Sequence, residues 1–290
     1  MKKSTMVKAI INNAITVTAI ESSALVQKAI KLHKLSPVAA IALGRALTMA
    51  ALMSDDFKHT SDKLSATIKG GGPLGDITVA ANGKGQVKGM VEHAVVQGTT
   101  NPDGTLNVGA AVGKNGTLTV IRDLGLKQNY GGTTRLISGE IAQDFAYYYA
   151  ESEQQPCGIT LGVGLDNKSC KSAGGVFVQV MPNCPPDLLW RVETIMYAMD
   201  EMSYQFDGST AKEVISRFFG EFDLVFVDEK QITYKCGCSK RRMDNIIKSL
   251  GQEECQAILA EQGTIDVHCH FCNKTYTYTS EDVQSLFTVS

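Results

Sequence analysis

The sequence predicts an α+β protein: an N-terminal domain of helices packed on an antiparallel sheet, a helical linker, and a small C-terminal domain carrying clustered cysteines. Three observations predict it. Short β-prone runs between residues 64 and 121 are separated by turn signals instead of crossover helices. Three of the seven prolines fall at Pro182, Pro185 and Pro186, a change of composition that marks a boundary. Two close pairs of cysteines stand 30 residues apart near the end of the chain. The expected divisions are 1–181 for the N-terminal domain, 182–230 for the linker and 231–290 for the last domain.

The elements follow in order. Asn12-Asn13 separates Val7–Ile11 from the alternating run Ile15–Ile20, which predicts an opening hairpin. Leu25, Ala29 and Leu32 share one face of a helix, and Ser36-Pro37 supplies an N-cap and a first-turn proline for a second, buried helix to about Ser54. Ala66–Lys69, Ile77–Ala81, Gln86–Val91 and Leu118–Ile121 read as strands of one antiparallel sheet. Ser138 opens a helix from Gly139 to about Ser152, on which Ile141, Phe145 and Tyr148 or Tyr149 recur at helical spacing. Strands at Ile159–Val163 and Val176–Val180 complete this domain. In the linker, Asp187 caps a helix bearing Leu188, Leu189, Val192, Ile195, Met196 and Met199, and Ser209-Thr210 starts another bearing Val214, Ile215, Phe218 and Phe219. In the last domain Ser239 caps a helix to Leu250, Gly251 breaks it, and a second helix from Gln252 ends at Gly263. β-prone sequence flanks both cysteine pairs.

Composition bounds the function. A chain of 290 residues buries about 70–75% of its unfolded surface, so its fold needs no disulfides. Hydrophobic residues at 43% and charged residues at 20% exclude disordered and fibrous classes. With 28 Lys+Arg against 30 Asp+Glu, nothing draws the chain to a phosphate backbone or an anionic membrane, and neither nucleic acid nor membrane is an expected partner. The apolar stretch Val38–Met53 is broken by Gly44 and Arg45 and falls short of the ~20 residues of a spanning helix. Lys8, Asn12 and Asn13 interrupt any signal-peptide core after Lys2 and Lys3, so a cytoplasmic protein is expected. Eight cysteines in that compartment read as metal ligands or redox centres before disulfides.

Cys236-Gly237-Cys238 and Cys269-His270-Phe271-Cys272 can bring four thiolates to one tetrahedral zinc ion, and in a module this small the metal supplies folding energy. A zinc clip that only holds the tail together uses the same ligands, and most four-thiolate sites are of that kind. Two features pull the other way. A C-x-C pair oxidises only to a cramped, labile disulfide, and zinc keeps the sulfurs as thiolates, the form that oxidants attack. His268 and His270 flank Cys269 and are expected outside the ligand set; Cys157, Cys170, Cys184 and Cys255 read as small buried hydrophobes. Gly70-Gly71-Gly72-Pro73-Leu74-Gly75 matches the dinucleotide fingerprint literally, but strand-like Ile77-Thr78-Val79 follows where a helix is required, so it reads as a turn. No catalytic set stands out, and an enzyme is not expected.

The cysteine pairs, with Leu250-Gly251-Gln252-Glu253-Glu254 between them, resemble the zinc-binding tail of the 33-kDa heat-shock chaperone family, the redox-regulated holdases. The likeness extends upstream to Gly44-Arg45-Ala46-Leu47, to the Gly70–Gly75 turn, to Ser138-Gly139-Glu140-Ile141-Ala142 and to Tyr147–Gln154, and so spans nearly the whole chain. The resemblance implies a cytoplasmic chaperone, inactive when reduced with one zinc on Cys236, Cys238, Cys269 and Cys272. It further implies that oxidation pairs Cys236 with Cys238 and Cys269 with Cys272, releases zinc and loosens the linker. Apolar surface would then capture unfolding client proteins without ATP, with a homodimer as the fully active form.

Two other classes stay open. A nucleic-acid-binding zinc ribbon would need a basic module, yet acidic residues slightly outnumber basic ones from Ile232 onward. A thiol oxidoreductase would need a C-x-x-C thiol at a helix N-terminus, and Asn273–Tyr278 after Cys272 reads as strand.

Overall fold

The computed structural model describes residues 3–126, 128–199 and 202–288, and the chain divides into two compact units, Met1–Lys235 and Cys236–Ser290. Unit 1 opens with β1 (Ser4–Ile11) and β2 (Ile15–Glu21). Asn12 and Asn13 both hold positive φ, 48° and 54°, as a two-residue hairpin turn requires. Helices α1 (Ser23–His33) and α2 (Pro37–Met53) follow, the latter running into a 3-10 turn at Ser54–Asp56. Ser36 takes the N-cap position of α2, but its hydroxyl accepts the Val96 N–H at 3.2 Å instead of one from its own helix. Residues Pro37–Asp56 are long and apolar enough to cross a membrane, yet 83% of that window is buried inside the protein, which makes it a core helix.

Strands β3 (Lys63–Lys69), β4 (Ile77–Asn82) and β5 (Gln86–Val91) form a meander, followed by the short helix α3 (Val108–Val112), β6 (Thr117–Asp123) and β7 (Tyr130–Arg135). Helix α4 (Ala142–Tyr148) continues as a π turn, Tyr149–Glu153, before β8 (Cys157–Asp166) and β9 (Ser169–Val180). Then come α5 (Pro186–Ala198), α6 (Met202–Gln205), α7 (Ala211–Phe219) and β10 (Leu224–Tyr234). The residues the sequence assigns to a linker thus end in a strand. The ten strands make one sheet in the order β7-β6-β3-β4-β5-β10-β1-β2-β9-β8. Every neighbouring pair is antiparallel but one: β10 meets β5 in parallel through Thr233↔Gln86 and Tyr234↔Val87, and that pairing joins the two halves. The Tyr234 hydroxyl reinforces it, donating to Gly89 O at 2.8 Å and lying 3.0 Å from His33 Nε2.

Both faces of β1, β2 and β9 are covered, so side chains of either face are buried, Thr18 and Ser172 among them. On one face Met6, Ile20 and Phe177 pack with α1 and α2. On the other, Val7, Ile11, Val17 and Val176 lie beneath Leu188, Val192, Phe206 and Phe219 of the segment carrying α5 to α7. Thr210 anchors α7 by a reciprocal cap: its hydroxyl accepts the Glu213 N–H at 3.2 Å, and the Glu213 carboxylate accepts the Thr210 N–H at 2.7 Å. Asp187 does not cap α5 as expected; Pro185 holds that position and Asp187 sits in the first turn.

The helix expected from Gly139 starts three residues later. The Asp144 carboxylate collects the N–H groups of Ile137, Ser138 and Ile141 at 2.8, 2.9 and 3.1 Å. That gathering winds residues 137–141 into a loop and holds buried Ile141 at φ 72°, strained for a β-branched residue.

A charge cluster pins β10 in place. Buried Asp55, just beyond α2, receives Lys8 Nζ of β1 at 2.9 Å, Lys230 Nζ of β10 at 3.1 Å and the Thr18 hydroxyl of β2 at 3.1 Å. Burial would lower the Lys8 pKa, but its bonds to Asp55 and Asp56 carry it above the usual value.

The glycine-rich stretch is a turn joining β3 to β4, with Gly70 pressed against the backbone that follows α3. A methyl group on Gly70 would overlap Val112 O and Gly113 O. Gly70→Ala is expected to cost about 2–4 kcal/mol by overpacking, read as a lower urea midpoint at unchanged slope; a cost below about 0.5 kcal/mol would show that the backbone there yields.

Candidate metal centre

Unit 2 contains α8 (Lys240–Leu250), α9 (Gln252–Gln262), the hairpin β11 (Ile265–Cys269) and β12 (Lys274–Tyr278), and α10 (Ser280–Thr288). Gly251 separates the first two helices, and Gly263 ends α9 in the left-handed conformation at φ 77°. Its core is small: Met243, Ile247, Cys255, Ile265, Tyr278 and Val283. A domain with so few buried side chains needs a further source of stability.

The first cysteine pair lies on the extended segment leading into α8. Ser239 occupies the N-cap position, using its carbonyl, not its side chain, to accept the Arg242 and Met243 N–H groups at 3.0 and 3.2 Å. Arg242 also reaches back to Gly237 O at 3.1 Å, fixing the bend between Cys236 and Cys238. The second pair is the tip of the β11–β12 hairpin. Cys269 O accepts the N–H groups of Cys272 at 3.2 Å and Asn273 at 2.8 Å, and Asn273 turns the chain at φ 53°.

These two knuckles bring the sulfurs of Cys236, Cys238, Cys269 and Cys272 within 4.8 Å of one another. Across the pairs, the sulfurs of Cys236 and Cys269 lie 3.6 Å apart and those of Cys238 and Cys272 3.3 Å apart. No disulfide links them. A tetrahedron with metal–sulfur bonds of about 2.3 Å has edges of about 3.8 Å, so the four sulfurs fit a single four-coordinate ion. The donor set, thiolates alone, suits a soft or borderline metal. Cys269 is the buried member and the other three are partly open to solvent.

Burial raises the Cys236 thiol and, with the hydrogen bonds of neighbouring thiols, pushes Cys272 up to about 12. Cys238 differs: burial works against its thiolate, yet the Tyr276 hydroxyl and the adjacent thiols bring it down to about 7. Tyr276 Oη donates to Cys238 Sγ at 3.3 Å, with Lys274 Nζ 4.6 Å from the ring centre. Neither Tyr276 nor Arg242 is marked out in the sequence, since strand alternation alone does not say which β12 side chain reaches a sulfur. His268 and His270 stay outside the sulfur cluster. Both are exposed, and His268 has Thr275 Oγ1 3.1 Å from Nδ1 and Asn273 Oδ1 3.3 Å from Nε2.

The other cysteines are dispersed. Cys255 is buried in the core of unit 2, its thiol directed at Ile247 O at 3.6 Å, while Cys157 and Cys170 pack against the core of unit 1 and are pushed up to about 12 by burial. A strand, β12, follows Cys272, so no helix N-terminus lies behind that thiol.

Comparison with known proteins agrees with this architecture. The family model described as Hsp33 protein matches residues 4–279. The "33 kDa chaperonin" of Alkaliphilus oremlandii is 40% identical over 277 residues, 95% of this chain and 93% of that one. The protein of the same name from Clostridium botulinum (strain Eklund 17B / Type B) is 40% identical over 267 residues, 90% of each chain. A crystal structure of the 33 kDa chaperonin from Thermotoga maritima superposes with a TM-score of 0.90 at 29% identity, over 99% of this chain and 98% of that one. On the extent of the family match, the identity to these relatives and the shared fold, this chain belongs to the Hsp33 family.

Proposed function

We propose that this protein is a redox-regulated, ATP-independent holdase of the cytoplasm, silent when reduced and zinc-bound and active once its four clustered thiols are oxidised. The observation that carries the reading is the convergence of Cys236, Cys238, Cys269 and Cys272 within 4.8 Å in a unit with a small core. Zinc, when bound, holds these four sulfurs as thiolates and adds folding energy to the unit. Each pair then gives up two electrons to peroxide: two thiolates become one S–S bond, and the peroxide O–O bond breaks to leave two hydroxides. We assign the disulfides to Cys236–Cys238 and Cys269–Cys272 on the family resemblance; disulfide mapping of the oxidised protein tests the assignment. With its thiolates consumed, unit 2 has no metal ligands left and unfolds.

The client surface is the apolar face shared by β1, β2, β9 and the segment carrying α5 to α7. Its residues are buried in the reduced fold and become available when residues 182–230 loosen. Unfolding proteins are held there, not chemically altered, and two such surfaces together favour a homodimer of the oxidised form.

The test is zinc content and suppression of client aggregation on one sample, before and after peroxide at mild heat. The expected result is loss of about one zinc per chain as holdase activity appears. Retained zinc with unchanged activity would make the site a structural clip and sink the reading.

A further inference from the structure

The four sulfurs are not equivalent in what points at them. Cys238 faces a side-chain hydroxyl, Tyr276 Oη at 3.3 Å, carried on the strand that leaves the second knuckle. A hydrogen bond to a metal-bound thiolate draws charge from the sulfur and makes it a poorer nucleophile. Lys274, 4.6 Å from the centre of the Tyr276 ring, withdraws charge from the phenol and strengthens it as a donor.

We infer that the Tyr276 hydroxyl restrains attack by Cys238 on oxidants, making it the slow sulfur of the first knuckle. The inference rests on the redox-switch reading and adds to it the residue that tunes the switch. In the restrained step the Cys238 thiolate attacks a peroxide oxygen, the O–O bond breaks and hydroxide leaves. The resulting sulfenic acid is then displaced by the partner thiolate, closing the S–S bond and releasing the second hydroxide. Tyr276 acts on the first attack, because its hydrogen bond draws charge from the sulfur that must donate an electron pair.

The test uses the full zinc-loaded chain with Tyr276→Phe, which keeps the ring and its lysine contact and deletes only the hydroxyl. Mass spectrometry follows alkylation of each cysteine by iodoacetamide at fixed pH, and a chromophoric chelator follows zinc release by peroxide. Modification of Cys238 is expected to rise about three- to ten-fold relative to Cys236, with faster zinc release and unchanged starting zinc content. Lys274→Met should shift the same ratio by a smaller factor in the same direction, and serves where the tyrosine variant loads zinc poorly. An unchanged Cys238-to-Cys236 ratio overturns the inference. So does an equal acceleration at all four cysteines with a lower melting temperature of unit 2, because that marks a packing role. Wild-type protein that keeps its zinc under peroxide overturns the redox reading instead, while the alkylation ratio still decides whether Tyr276 shields its sulfur.

Discussion

A Cys238→Ser chain is expected to lose high-affinity zinc binding and, with it, the ordered C-terminal unit, while unit 1 keeps its fold. Four thiolates give structural zinc sites apparent binding free energies of about 10–16 kcal/mol at neutral pH. Replacing one thiolate by a hydroxyl that stays protonated should weaken zinc on the order of a hundred-fold or more. Unit 2 has little else to hold it, since its core is six buried side chains, one of them Cys255. Competition with a chelator measures the affinity, and amide exchange resolves the two units: protection should vanish after Lys235 and persist on β1, β2 and β9. A variant that holds one zinc against the chelator, with a protected C-terminal unit, would show that Cys238 is not a ligand.

Asp55→Ala should lower the stability of unit 1 by about 2–4 kcal/mol in urea unfolding. Its carboxylate is 5% exposed and is shared by Lys8 and Lys230, which are 22% and 35% exposed. Removing it leaves two ammonium groups on adjacent strands with no common counter-charge and orphans the Thr18 hydroxyl. The lysines can turn partly to water, which keeps the cost below that of a fully buried pair. Lys230→Met should cost less, because Asp55 keeps Lys8 and Thr18. A loss below about 1 kcal/mol for Asp55→Ala would mean that solvent already screens the cluster.

Much of this fold can be read in the sequence because the signals are local. Asn12-Asn13 turns a hairpin, Pro37 opens the core helix, Thr210 and Glu213 cap each other, and the cysteine spacing marks both knuckles. What escapes turns on side-chain hydrogen bonds and strand pairings that periodicity does not show. Asp144 gathers the N–H groups of Ile137, Ser138 and Ile141, which holds that segment in a loop and delays the helix to Ala142. Val108–Val112 is a single turn of helix, β7 consists largely of Gly and Thr, and α10 is opened by a reciprocal cap between Thr279 and Asp282. Residues 224–230 read as the end of a helical linker, and only β1 lying alongside makes them a strand. The site divides the same way: its four sulfurs follow from spacing, whereas Tyr276 reaches Cys238 through the hairpin register, which places Tyr276 opposite Val267.

The position of β10 bears on how the molecule is made. The strand that pairs with β1 and joins the two halves of the sheet is the last element of unit 1 to leave the ribosome, and the next residues are Cys236 and Cys238. Until Tyr234 emerges, β1 lacks one neighbour and β5 ends at an open edge, so the nascent chain holds two half-sheets with unpaired backbone. Pairing of such high sequence separation closes slowly. A newly synthesised copy therefore passes through a period in which it is itself aggregation-prone, and that period ends as Cys236 and Cys238 appear.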